Sequence, residues 1–463
     1  MKLADLKHIY FIGIGGIGMS ALARYFHSKG VYVSGYDKTA TPLTQQLQSE
    51  GICVHFEENI AALPKEIDLV VFTPAVPASH AELVFLKEKG FTVVKRAELL
   101  GMLTRETICI AVGGTHGKTT TSTLIAHLFN NSSLGCNAIL GGISKNYGTN
   151  LILSEESLFM ITEADEFDRS FLKLFPEMAV ITSTDADHLD IYGTDKKIKE
   201  AYSAFAGQVK TGGAVVQRFG LDLDTAHDKK VRFFTYGFEE GADFRAVNLR
   251  ILNHRHHFDL NSPFGTIEDL VPGNPGLINV ENAVAALSIG LLAGIPADNM
   301  KESLASYQGV VRRLDIRIER EDLVYIDDYA HHPEELRASI SSVRELYPDI
   351  PMCGVFQPHL FTRTRDFADE FAKSLDLLDD IILLNIYPAR ELQIPGISAQ
   401  MLLEKIKNPN KCIVNDNELL PLLDQKRPRL LMTLGAGDID QFVPQITRQF
   451  TTNLNSNGGT DVA

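Results

Sequence analysis

Two glycine loops and several strand ends rich in acid and histidine carry most of the chemistry this chain offers. Gly114-Thr115-His116-Gly117-Lys118-Thr119-Thr120 follows the apolar run TICIAV and opens the run STLIAHLF. Backbone N–H groups of such a loop cradle phosphates, the lysine reaches the β and γ oxygens, and the next hydroxyl can hold Mg²⁺. Position 112 is Val, so the motif proper begins at Gly114 and departs from the usual phosphate-loop spacing. A second loop, Gly13-Ile14-Gly15-Gly16-Ile17-Gly18, directly follows a strand-like run, and Asp37 stands 19 residues beyond it. That is the dinucleotide fingerprint, with a diphosphate at a helix N-terminus and an acid near a ribose. It specifies a diphosphate, not a nicotinamide.

Phosphate transfer also needs an acid on the metal, commonly at the end of a neighbouring strand. Glu163 and Asp165 close SLFMITEADE, and His188 closes MAVITSTDADHLD, where its ring can add a nitrogen ligand. A strand-end acid is often only a helix cap, but two such ends after one phosphate loop favour chemistry. A third group, Asp327-Asp328-Tyr329-Ala330-His331-His332-Pro333, follows Arg312-Arg313, and Phe356-Gln357-Pro358-His359 with Arg363 ends the next strand similarly. In Asn253-His254-Arg255-His256-His257, strand alternation puts only His254 and His256 on one face, so a solvated strand is expected there rather than a metal site.

The elements that must hold these groups alternate β and α. Strands are expected at 7–14, 31–37, 67–76 and 91–95, with a helix over 19–29, which makes a doubly wound unit of 1–104. A second unit, 105–309, has strands at 157–166 and 178–190, antiparallel strands over 231–270 and a helix over 279–295. The third, 310–450, has strands at 323–329, 352–358, 380–388 and 429–437, and the tail 451–463 lacks apolar period and is expected to be disordered. The fold class is α/β, in three domains.

Length and charge bound the rest. The 463 residues fit about three domains. A net charge of −15 argues against a nucleic-acid-coating protein. Five scattered cysteines without a C-x-x-C pair fit reduced thiols in a cytoplasm. Residues 9–23 have the outline of a secretory leader, yet Asp5 and the glycines fit a loop better, and no apolar run is long enough for membrane insertion.

Taken together, FIGIGGIGMS (11–20), GTHGKTTT (114–121), EADEFDRSF (163–171), DADHLD (185–190), NVENA (279–283), GVVRRLD (309–315), DDYAHHP (327–333), FQPHLFTRTRD (356–366), YPARE (387–391) and GAGDI (435–439) resemble the Mur ligase family of peptidoglycan synthesis. They span nearly the whole chain in the family's order, and GxGGxGM with DDYxHHP and FQPH is similar to the alanine-adding branch. The resemblance implies a Rossmann-like UDP-binding domain, a central P-loop ATPase domain with a mixed sheet, and a C-terminal Rossmann-like domain that brings the amino acid. It implies UDP-sugar contacts from Gly13, Gly15, Gly16, Ile17, Gly18, Asp37 and Thr73. ATP contacts fall on Gly114 to Thr120 with Asn279, Asn282, Arg313 and Asp328, and Mg²⁺ on Thr119, Glu163 and His188. Tyr329, His331 and Arg363 surround L-alanine, and Lys118, Glu163, His188 and His331 serve catalysis. The implied reaction joins L-alanine to the lactyl carboxylate of UDP-N-acetylmuramate through an acyl phosphate. Ile278, Leu360 and Arg390 depart from the family's usual His, Arg and Gly, which bears on amino-acid contacts more than on ATP chemistry. Two other readings fit parts of the chain: a ligase recycling a murein tripeptide onto the same sugar nucleotide, and an NAD-dependent dehydrogenase, which leaves GTHGKTT without a role.

Overall fold

The computed structural model describes residues 2–185, 192–223, 230–389 and 391–452. Three sheets organise them. The first holds β1 (His8–Ile12), β2 (Tyr32–Tyr36), β3 (Cys53–His55), β4 (Leu69–Phe72) and β5 (Val93–Lys95) in the order β3-β2-β1-β4-β5. All its pairings are parallel. Helices cover both faces of such a sheet, which is why HIYFI is buried at every position instead of alternating. The chain order reverses beside β1, and ligands bind at the carboxyl ends of strands at such a switch. Gly13–Gly18 follows β1 there, with Asp37 just after β2 and Thr73 just after β4 on either side.

The second sheet has ten strands. They are β6 (Ile108–Gly113), β7 (Asn137–Ser144), β8 (Thr149–Ile152), β9 (Phe159–Ala164), β10 (Met178–Ile181), β11 (Ala214–Arg218), β12 (Arg232–Gly237), β13 (Phe244–Leu252), β14 (Arg255–Ser262) and β15 (Gly265–Leu270). Their order is β15-β14-β13-β12-β11-β10-β6-β9-β7-β8. β6 lies between β10 and β9, and the register sets Gly113 level with both Ala164 and Ile181. The phosphate loop after β6 therefore emerges between the two strand ends that the sequence marks as acidic.

The expectation of antiparallel strands over 231–270 needs correction. β12 runs parallel to β11 and meets β13 in parallel, while β14 and β15 are antiparallel. RFFTYG is a continuation of the parallel core layer, and burial of Tyr236 and Gly237 at its end fits that place.

The third sheet comprises β16 (Asp315–Glu319), β17 (Val324–Asp328), β18 (Met352–Phe356), β19 (Asp380–Leu383), β20 (Lys411–Ile413) and β21 (Leu430–Leu434), ordered β16-β17-β21-β18-β19-β20. Only the edge strand β16 is antiparallel. By compactness the chain forms two units, the first being Met1–Leu249, Phe258–Val271 and Glu281–Gln308, the second the remainder. The tip of the β13–β14 hairpin belongs to the second unit, where His254 is exposed as expected and His256 is not. His254 stacks on Tyr347 at 4.5 Å and bonds to the Leu346 carbonyl, and His256 is buried beside Glu345. Among the described residues no helix is long and apolar enough to cross a membrane. All five cysteines are thiols. The tail beyond the helix Phe442–Thr452 lies outside the described residues.

Candidate active site

Three constellations emerge, two in the first unit. At the first, Gly16 caps the helix Ile17–Ser28, and Gly13 holds φ +84°, with Thr73 packed where a Cβ on it would stand. Asp37 does not wait open for a ribose. Its carboxylate accepts Gly15 N at 2.7 Å and Thr39 N at 3.1 Å, which fixes the loop between the two strands. A cavity of about 440 Å³ opens nearby, lined by Phe72, Pro74, Val76, Leu83 and Lys87 among others.

At the second, Gly114 (φ +137°) and Gly117 (φ +80°) shape the phosphate loop. A Cβ on Gly114 would stand 2.0 Å from Thr182 Oγ1, and one on Gly117 would stand 2.6 Å from Asn282 Oδ1. These glycines let the loop press against the end of β10 and the helix Leu277–Leu292. Further bonds hold it there: His116 N to Ser183 Oγ at 2.9 Å, Thr115 Oγ1 to the Asp185 carbonyl at 3.0 Å, and Thr121 Oγ1 to Asn282 Oδ1 at 3.2 Å. Thr119 and Thr120 are buried in the first turn of Lys118–Asn130, and buried Tyr307 donates to the Thr120 carbonyl at 3.2 Å.

The Lys118 ammonium spends its protons on Gly114 O at 2.6 Å, Thr115 O at 3.3 Å and the Glu166 carboxylate at 2.8 Å. Burial pushes the Glu166 carboxyl above the ordinary range, and Lys118 opposes that. Reading the sequence for strand-end acids singled out Glu163 and Asp165 and missed Glu166; the signal lay in its spacing one residue past the strand-end pair. Glu163 itself accepts Gly141 N at 3.0 Å, and a Cβ on Gly141 would fall 2.4 Å from its oxygens. Asp165 turns away to Arg96. His188 and Arg390 lie outside the described residues. Glu163 and Thr119 carry oxygen donors of the hard kind that Mg²⁺ prefers.

The third constellation stands in the second unit. Asp328 at the end of β17 is buried, and its oxygens accept Leu314 N at 3.0 Å, Ala330 N at 2.8 Å and Ser339 Oγ at 2.9 Å. It thereby splints a loop in which Gly309, Arg312 and Leu314 all have positive φ, a strained path for the latter two. Arg313 sits over the Tyr329 ring, 4.9 Å from its centroid. Arg312 is instead structural, bound to Asp327 and the Gly435 carbonyl. Asn279 bonds to the Pro275 carbonyl at 2.5 Å.

His331 Nδ1 lies 3.0 Å from the Tyr329 carbonyl, which can only accept, so Nδ1 carries the proton and Nε2 is the basic nitrogen. Burial first, then Arg363 and Arg313, hold its pKa below the ordinary value, against Glu335. His359 stands edge-on to His331 at 6.0 Å and stacks on Tyr387, and burial lowers its pKa to about 4. Arg363 Nη1 is closed off from solvent with no partner among the described residues. A buried cationic donor without a partner is a place for an anion, and the adjoining neutral imidazole suits a carboxylate-bearing amine. Leu360, at φ +70°, caps the helix Phe361–Asp366 that carries Arg363.

Models of the Mur ligase family match in sequence: its catalytic domain at 8–107, the Mur ligase middle domain at 112–290 and a Mur ligase glutamate ligase domain at 312–437. The chain belongs to the Mur ligase family. It is 49% identical over 452 residues to the UDP-N-acetylmuramate–L-alanine ligase of Phocaeicola vulgatus, covering 96% of this chain and 98% of that one. The crystal structure of the UDP-N-acetylmuramate–alanine ligase of Thermotoga maritima matches with a TM-score of 0.81 at 25% identity, over 96% of this chain and 99% of that one. A murein peptide ligase from Psychrobacter arcticus shares the fold at a TM-score of 0.68 and 18% identity, over 98% of this chain and 100% of that one.

Proposed function

We propose that this chain joins L-alanine to the lactyl carboxylate of UDP-N-acetylmuramate, with ATP as the energy source, in a cytoplasm that makes peptidoglycan precursors. The observation that carries the reading is a pair of nucleotide loops in one unit of a chain nearly half identical, end to end, to alanine-adding relatives. The lactyl carboxylate attacks the γ-phosphorus of ATP, ADP leaves, and an acyl phosphate forms. Both reactants are anions, so Lys118 and the loop N–H groups must offset charge as it moves. Thr119, Glu163 and His188 would hold Mg²⁺, which would supply further positive charge. Asn279, Asn282, Arg313 and Asp328 serve the nucleotide, the last through the splinted loop that carries Arg313.

The alanine amine then attacks the acyl carbon and phosphate departs. Arg363 takes the amino-acid carboxylate, Tyr329 borders it, and His331 Nε2 accepts the proton the amine sheds. The acyl phosphate must be kept from water until the amine attacks. A neutral base is needed, and a lowered histidine pKa preserves one. The acid limb of kcat at saturating substrates is therefore expected below pH 6.5, the ordinary histidine value, with activity flat through neutrality. Histidine 331 replaced by Asn should lose that limb along with most of the rate; an unchanged profile in His331→Asn would remove it as the base.

The reading itself is tested with ATP, UDP-N-acetylmuramate and a panel of amino acids and murein tripeptide, scored by phosphate release. Release should require the sugar nucleotide and be greatest with L-alanine. Preference for the tripeptide would make the chain a recycling ligase, and release indifferent to the sugar nucleotide would make the first loop irrelevant to the reaction.

A further inference from the structure

The loop Gly13–Gly18 has no cation of its own, and one of its N–H groups already serves the Asp37 carboxylate. A diphosphate arriving there meets that carboxylate and a helix N-terminus worth only about half a positive charge. Counter-charge comes from another element. Arg96 opens the helix Arg96–Glu106, and its Nη1 lies 2.9 Å from the point a Cβ on Gly18 would occupy. Its Nη2 pairs with Asp165 Oδ2 at 3.2 Å. One guanidinium thus stands between the glycine loop and the acidic loop whose next residue, Glu166, grips Lys118.

The surroundings hold Arg96 in place while leaving its partner replaceable. The helix is seated closely on the segment after the acidic loop, since a Cβ on Gly101 would fall 2.3 Å from the Lys173 carbonyl. Beside it Lys95 pairs with Asp168 at 2.6 Å, so the second acid of the loop is already neutralised. The side chains of Arg96 and Asp165 are 23% and 40% exposed, and an ion pair in that setting is weak enough for a phosphate to displace. A guanidinium fork matches phosphate oxygens better than a single carboxylate oxygen at 3.2 Å.

We propose that Arg96 is a sugar-nucleotide-binding residue, which turns its guanidinium from Asp165 to the diphosphate held at Gly13–Gly18. The proposal rests on the reading of that loop as the sugar-nucleotide site. Asp165 is then a competitor for Arg96, and the two residues have opposite effects on the ligand.

Titration calorimetry of UDP and of ADP with the full chain tests this in wild type, Arg96→Ala and Asp165→Asn. UDP should bind Arg96→Ala about 30-fold or more weakly and Asp165→Asn several-fold more tightly, as loss of a charge-assisted bond or of its competitor implies. ADP should bind all three within about twofold, which shows that the loops remain folded. Equal weakening of UDP in both variants would make the pair a structural tie and overturn the proposal. Wild-type UDP affinity in Arg96→Ala would overturn it too. A wild-type chain that binds ADP but no UDP is a different failure: it removes the sugar-nucleotide reading, and the role of Arg96 with it.

Discussion

Lys118→Ala is expected to reduce sugar-nucleotide-dependent phosphate release by about 10³-fold or more, the scale on which preorganised charge acts at a developing anion. The loss has two parts that measurement separates. The ammonium that would meet the γ-phosphate is gone, and Glu166 is left buried without its cation. A buried carboxylate that loses its partner destabilises a fold by about 3–5 kcal/mol unless it takes up a proton. The raised Glu166 pKa makes that proton easy to acquire, so the fold should survive with a modest fall in melting temperature. Lys118→Ala combined with Glu166→Gln should recover the melting temperature and none of the activity. Near-normal turnover in Lys118→Ala would exclude the phosphate loop from the chemistry.

Arg363→Ala is expected to raise the KM for L-alanine by about 10²-fold, since a buried charge-assisted hydrogen bond is worth roughly 2–3 kcal/mol. Formation of the acyl phosphate precedes the amino acid, so single-turnover ADP release without alanine should be unaffected. That split separates a binding residue from one that merely holds the fold. Arg363→Lys should recover only part of the affinity, because a point charge cannot fork onto a carboxylate. The effect is concentrated in one residue because Leu360 supplies no second cation at the same helix N-terminus. Unchanged KM in Arg363→Ala would move the carboxylate elsewhere.

Much of the architecture was legible in the residues. Long apolar runs ending in polar chemistry are strands buried on both faces, and each of the expected parallel strands after 7, 31, 67, 157, 178, 323, 352, 380 and 429 has a counterpart within a few residues. What escaped were short edge strands, such as Cys53–His55 and Lys411–Ile413, and the hairpin Asn137–Ile152. Three-residue edge strands carry too little pattern for periodicity to register. The parallel course of β12 was hidden because RFFTYG looks the same in either direction.

The site divides similarly. The turns of the loops were readable because Gly13, Gly114 and Gly117 take a positive φ that other residues resist. Their partners were not. Asp37 is turned onto Gly15, Asp165 onto Arg96, and Glu166 onto Lys118, and these choices depend on which helix packs against which strand end. Asp328 shows the same limit from the other side. Its position in the motif suggests a ligand, whereas its oxygens are occupied by the backbone of Leu314 and Ala330.

The closeness of Gly141 to Glu163 couples two positions that lie on different strands. Glu163 reaches into the space where any side chain at 141 would begin, and its carboxylate, not the backbone, is the part that would yield. A side chain at 141 would therefore act on the position of the acid and not on the fold, although glycine brings no functional group to the reaction. Alanine at 141 would push the Glu163 carboxylate off the Gly141 N–H it now accepts from. The two positions act as a pair, and a search for catalytic side chains alone would overlook the one that has none.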